Sequence, residues 1–121
     1  MSIVALVPDL IAGSWIEDAA ARAGVTVRRV AAPDELPPAG GVELLVVDWG
    51  ERQPGWGTTL SDWRDEAGPA GPAILLFGPH RDLDGHAAAR RAGLGPMIAR
   101  SRLRDELAAR LAAGSAGGAR R

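Results

Sequence analysis

Short, unbroken runs of aliphatic residues recur along this chain, and between them apolar residues return every three or four positions. Residues 3–7 are apolar throughout and stop at Pro8, the pattern of a strand covered on both faces. In 10–23 the residues Ile11, Trp15, Ile16, Ala19 and Ala23 keep helical spacing, and Gly24 ends the segment. Residues 25–30 carry Val25, Val27 and Val30 but also Arg28 and Arg29, which suits a strand at a sheet edge. The stretch 31–41 contains Pro33, Pro37 and Pro38, so it allows one turn at 34–36 and no crossover helix. A second wholly apolar run, 42–47, leads into Asp48.

Residues 49–57 show no period and read as a loop, after which Thr58 or Thr59 caps a helix carrying Leu60, Trp63 and Ala67. Strand 73–77 follows, then the turn Gly78, Pro79, His80, and a helix capped by Asp82 that runs to Arg91 with Leu83, Ala87 and Ala88 as its apolar contribution. A short strand at 97–99 precedes a last helix with Ser101 as its cap and Leu103, Leu107 and Leu111 one turn apart. Apolar strands alternating with helices predict a three-layer, doubly wound α/β fold of the flavodoxin-like type. Its five-stranded parallel sheet has strand order 2-1-3-4-5, and its second crossover helix is short or absent. The domain is expected to occupy residues 1–113, with 114–121 a frayed, disordered tail.

Composition narrows the chemistry. The chain has 121 residues, 46% of them hydrophobic and 24% charged, which fits one folded domain rather than a disordered segment. Without cysteine there are no disulfides, thiolate metal sites or cysteine nucleophiles. All 14 basic residues are arginine, so no lysine amine is present to form a Schiff base. A net charge of −1 gives no field for a phosphate backbone, and nucleic acid is not expected as a partner. The N-terminal apolar run lacks preceding basic residues and ends after a few positions, so neither a signal peptide nor a membrane span is expected, and the protein is expected to be cytoplasmic.

In a doubly wound sheet a site lies outside the carboxyl ends of the strands. Those ends present Pro8 and Asp9, Asp48, Gly78 to His80, and Arg100 with Ser101. Asp9 and Asp48 are candidates for holding a hard divalent cation, which prefers oxygen ligands; the alternative is that Asp9 caps the first helix and Asp48 a turn.

The run from Glu43 through Leu44, Leu45, Val46 and Val47 to Asp48 resembles the third strand of bacterial response-regulator receiver domains. Residues 92–101, with Ala92, Gly93, the strand Met97 to Ala99, and Arg100 and Ser101, resemble the alanine–glycine turn and fifth strand of that family. The resemblance implies that Asp48 is the phosphoacceptor equivalent and that the rest of the site is degraded. Pro8 with Asp9 replaces an acidic pair, Gly78 a hydroxyl residue, Arg100 a lysine and Ser101 a proline. Phosphoryl transfer rests on positioning and charge stabilisation, so these losses predict slow or absent phosphorylation, with magnesium a cofactor only in a working site. Arg100 is expected to pair bidentately with Asp48.

The remaining motifs carry less. His80 and His86 flank Asp82 and Asp84 without converging spacing for a metal; His80 stands at the rim of the site. Trp49, Trp56 and Trp63 either cover the sheet or, as exposed anchors, mark an interface. The glycines form no phosphate-binding loop, and no nucleophile elbow occurs. The resemblance also implies a contact face built from the helix ending at Arg91, the fifth strand and the last helix, with Arg90, Arg91, Arg102, Arg104, Asp105 and Glu106 on it. The expectation is a stand-alone pseudo-receiver, not an enzyme, that works in signalling by binding a protein partner or a second copy through that face. The alternatives are a divergent receiver phosphorylated on Asp48 and a small magnesium-dependent hydrolase using Asp9 and Asp48. A metabolite sensor binding at the Trp-lined loop is a further possibility.

Overall fold

The apolar runs pair as parallel strands because each lies between two helical layers, and β1 (Ile3–Leu6) and β3 (Leu44–Asp48) are buried at every position. The computed structural model describes residues 2–119, apart from the side chains of residue 70 and of 114–119. With β2 (Val27–Val30), β4 (Ala73–Gly78) and β5 (Met97–Ala99) these strands form one five-stranded sheet of order β2-β1-β3-β4-β5, all pairs parallel. The expected α/β, flavodoxin-like architecture is therefore present, and β2 is an edge strand as its arginines predicted.

Helices α1 (Leu10–Arg22) and α4 (Leu103–Ala119) cover one face, over a core of Ile3, Ala5, Val46, Phe77, Leu103, Leu107 and Leu111. Helices α2 (Trp56–Asp65) and α3 (Leu83–Arg91) cover the other, with Leu6, Leu45, Trp49, Leu60, Leu76 and Met97 beneath them. Between β2 and β3 the chain makes only two 3₁₀ turns, Pro33–Glu35 and Ala39–Gly41, in the place of a crossover helix. Trp63 fills the gap this leaves: it is 8% exposed, and its indole N–H donates to the Pro37 carbonyl at 2.7 Å.

Several local expectations change. Helix α2 begins at Trp56, not at Thr58 or Thr59; its N-cap is Gly55 with φ 89° and no capping side chain. The earlier start puts Trp56, Leu60 and Trp63 on one buried face. In α1 the buried residues are Ala12, Gly13, Ile16 and Ala20, so Ile11 and Trp15 turn outward, 66% and 45% exposed. Small residues let this helix lie close to β2: a Cβ at Gly13 would collide with the Arg29 guanidinium. Leu83 is likewise 75% exposed, because α3 packs through Gly85 and Ala89. Asp82 caps α3 as expected, accepting from the Gly85 N–H at 2.9 Å. A 3₁₀ turn, Arg100–Arg102, leads into α4, so Ser101 lies inside that turn rather than at the helix start. The backbone of α4 continues past 113 to Ala119, and residues 120 and 121 of the expected tail lie outside the described residues. No helix among the described residues is long and apolar enough to cross a membrane.

Candidate functional site

Sheet register assembles the site. Asp48 pairs with Phe77 across β3 and β4, and Gly78 pairs with Ala99 across β4 and β5, so Asp48, Gly78 and Arg100 reach the same carboxyl edge. Asp9 joins them as the N-cap of α1, accepting the Ile11 N–H at 3.0 Å. Arg100 lies between the two carboxylates. One guanidinium nitrogen, Nη1, is 3.5 Å from Asp9 Oδ2, the other, Nη2, is 3.5 Å from Asp48 Oδ1, and its Cζ lies 5.5 Å from the centroid of the Phe77 ring. The bidentate pairing with Asp48 is thus replaced by a cation shared between two acids, since a fork that spans Asp9 and Asp48 cannot also align both nitrogens on one of them.

Asp48 is the one buried polar or charged residue among those described, with no exposed surface, and neither carboxylate oxygen has a hydrogen-bond donor at bonding geometry. Burial pushes its carboxyl above the usual carboxylate range; Arg100 opposes this, Glu51 and Asp9 reinforce it, and the Gly50 amide opposes it least. The cover over Asp48 is the 3₁₀ turn Trp49–Glu51, whose Gly50 packs against the Asp48 carboxylate and against Gly78 at the end of β4. A Cβ on Gly78 would come within 2.8 Å of the Met97 sulfur and 3.1 Å of the Gly50 nitrogen, and a Cβ on Gly50 within 2.9 Å of Pro79 Cδ. The position where the resemblance implies a hydroxyl is filled by the Met97 sulfur and the Gly50 backbone, and Pro8 contributes an exposed ring next to Asp9 in place of a second acid.

These residues do not fit a divalent cation. Between the two carboxylates that could ligate one stands a guanidinium, and the described residues contain no group of three or more His, Cys, Asp or Glu arranged around a metal position. The positive charge that faces both acids is that of Arg100.

A second cluster lies beside the first. The Trp49 indole N–H donates to the Gly85 carbonyl at 2.9 Å. Arg52 Nη1 donates to the Trp49 carbonyl at 3.0 Å and to Asp82 Oδ2 at 2.8 Å, while its guanidinium lies 5.7 Å from the Trp49 ring centroid. The side-chain bond from Arg52, then the Gly85 N–H, hold the Asp82 carboxyl below its usual range. Together these bonds tie the cover of Asp48 to the start of α3. Sequence reasoning missed this tie, apart from Asp82 as a cap, because Arg52 and Asp82 are distant in the chain and only the fold brings them together. An open cavity of about 450 Å³ lies alongside, lined by Arg52, Gln53, Pro54 and Asp82.

Trp49 and Trp56 are 1% and 7% exposed and belong to the core. They are part of the cover of the sheet, not exposed interface anchors: both are buried in the core on the face that α2 and α3 cover, and Trp49 is bonded to the start of α3. His80 is exposed, and its carbonyl accepts a hydrogen bond of 2.9 Å from the His86 ring Nε2.

No family model matches the chain, and no curated protein matches it in sequence. Among solved structures, a Burkholderia pseudomallei K96243 protein named as "pilus assembly-related" superposes with a TM-score of 0.65, covering 93% of this chain and 90% of that one at 18% identity. The likeness is one of fold. What the two chains share is the flavodoxin-like arrangement of a doubly wound parallel sheet.

Proposed function

We propose that this chain is a pseudo-receiver, a receiver-type domain whose phosphoacceptor position has been converted into a structural element, and that it acts as a phosphorylation-independent module by binding a protein partner. One observation carries the reading: the Asp48 carboxylate is sealed beneath Gly50 and Gly78 and faces a resident cation, Arg100. An attacking carboxylate needs an in-line phosphodonor and compensation for the charge that develops on the transferred group. Here the approach is closed by backbone, and the arginine is engaged with Asp9 as well. With Asp48 inert, what remains is a folded scaffold whose surface can meet another protein or a second copy, and such contact is the function we assign to it.

The test is incubation of the full chain with magnesium and acetyl phosphate, and separately with beryllofluoride, followed by intact-mass analysis and amide chemical-shift mapping. The expected outcome is an unchanged mass and no shift change around Asp48. A phosphoryl adduct on Asp48 would establish the divergent phosphorylatable receiver instead, and magnesium binding at millimolar concentration with hydrolysis of the donor would establish the small hydrolase.

A further inference from the structure

Between α1 and α4 runs a groove that the site above does not use. Its floor is apolar, with Ala19 of α1 and its C-cap Ala23 opposite Ala108 and Leu111 of α4, around a cavity of about 270 Å³. Trp15 stands at one end, 45% exposed, with the Arg104 guanidinium 5.5 Å from its ring centroid, and Ile11, 66% exposed, extends the apolar surface one turn further along α1. The margins are basic. Arg22 on α1 and Arg104 on α4 are both exposed, and neither has a carboxylate within ion-pair distance among the described residues, although Asp18 stands on the same margin one turn before Arg22.

A groove between two packed helices is the shape that a third helix fills with its side-chain ridge. Large apolar side chains held in water at its mouth gain by being covered, and unpaired arginines on both margins select carboxylates on whatever lies between them. We infer that the α1–α4 groove docks one amphipathic helix of a partner protein, its apolar stripe on Trp15 and the alanine-rich floor and its acidic flanks against Arg22 and Arg104. In a second copy, α2 spends its apolar stripe of Trp56, Leu60 and Trp63 in its own core and α3 exposes only Leu83, so its α1, with Leu10, Ile11 and Trp15 exposed, is the competing occupant, and self-association is one outcome of the test. The inference rests on the protein-binding reading above and names the face and the partner's chemistry.

The experiment titrates the isotopically labelled full chain with a designed helical peptide whose leucine stripe is bordered by glutamates, and with a counterpart bordered by lysines. The glutamate peptide is expected to shift the Trp15 indole and the amides of α1 and α4, to bind more weakly as salt rises, and to bind about fivefold or more weakly to Arg104→Gln and to Trp15→Ala. Leu83→Ala, exposed on α3, leaves binding unchanged. No shift at millimolar peptide, equal binding of the lysine peptide, shifts confined to α3 and β5, or self-association through the groove would each overturn the inference. Such a failure leaves the phosphodonor result untouched, whereas an aspartyl phosphate would remove the underlying reading whatever the peptide does.

Discussion

At Gly78 a side chain would meet the Met97 sulfur and the backbone of Gly50, and this contact decides much of what the carboxyl edge of the sheet can do. Methionine can swing aside, but the Gly50 nitrogen cannot move without lifting the turn that Trp49 and Arg52 anchor to α3. Gly78→Thr, which would put the hydroxyl back, is therefore expected to destabilise the fold by about 1–3 kcal/mol through overpacking. Gly40→Ala, at a glycine with nothing near its Cβ position, serves as the control. Equal denaturation midpoints for the two variants would show that the packing at Gly78 is not limiting. Asp9, Asp48 and the Asp82 cap were legible in the sequence, because a short acidic side chain at a strand end or helix start has few roles. That Arg100 divides itself between Asp9 and Asp48 was not, since it depends on distances across the sheet.

Among the elements, the missing crossover helix between β2 and β3 is read directly from Pro33, Pro37 and Pro38, whose rings exclude a longer helix. The replacement of that helix by Trp63 is a tertiary event. Trp63→Phe keeps most of the apolar volume but leaves the Pro37 carbonyl without its donor, and is expected to cost about 1–2 kcal/mol in chemical denaturation. A midpoint unchanged from the parent would mean that water satisfies that carbonyl equally well. Helix faces were the least legible feature. In α1 the large residues Ile11 and Trp15 suggested the buried stripe, yet the helix packs through Ala12, Gly13, Ile16 and Ala20, because close approach to β2 and Arg29 rewards small side chains over large ones.

For the molecule as a whole, two carboxyl groups set opposing pH dependences. Asp48 titrates above its ordinary range in the folded state, so the folded chain holds this proton more tightly than the unfolded chain does. The folded state then loses stability as pH rises from the ordinary carboxylate range through the raised value, and bears the whole penalty above it. Asp82 acts in the other sense: its lowered value gives a contribution that is complete above the unfolded value and is lost as pH falls through the folded one. Asp48→Asn removes the ionisation and keeps the shape. Its melting temperature relative to the parent is expected to rise with pH across the Asp48 window and to be lowest in acid, because burial outweighs the attraction of Arg100. A difference independent of pH, or one that grows toward acid, would show that Asp48 is not held in an unfavourable ionised form.

The order and type of the elements, the parallel sheet and the absent crossover helix were determined by the sequence alone, because they follow from local periodicity, from proline geometry and from the rule that wholly apolar strands must be covered on both faces. Only the tertiary structure decided that Asp48 is sealed, that Arg100 bridges two acids and that α1 leaves Trp15 beside an open groove. Those properties depend on the close approach of segments far apart in the chain, and no local pattern of residues encodes an interatomic distance.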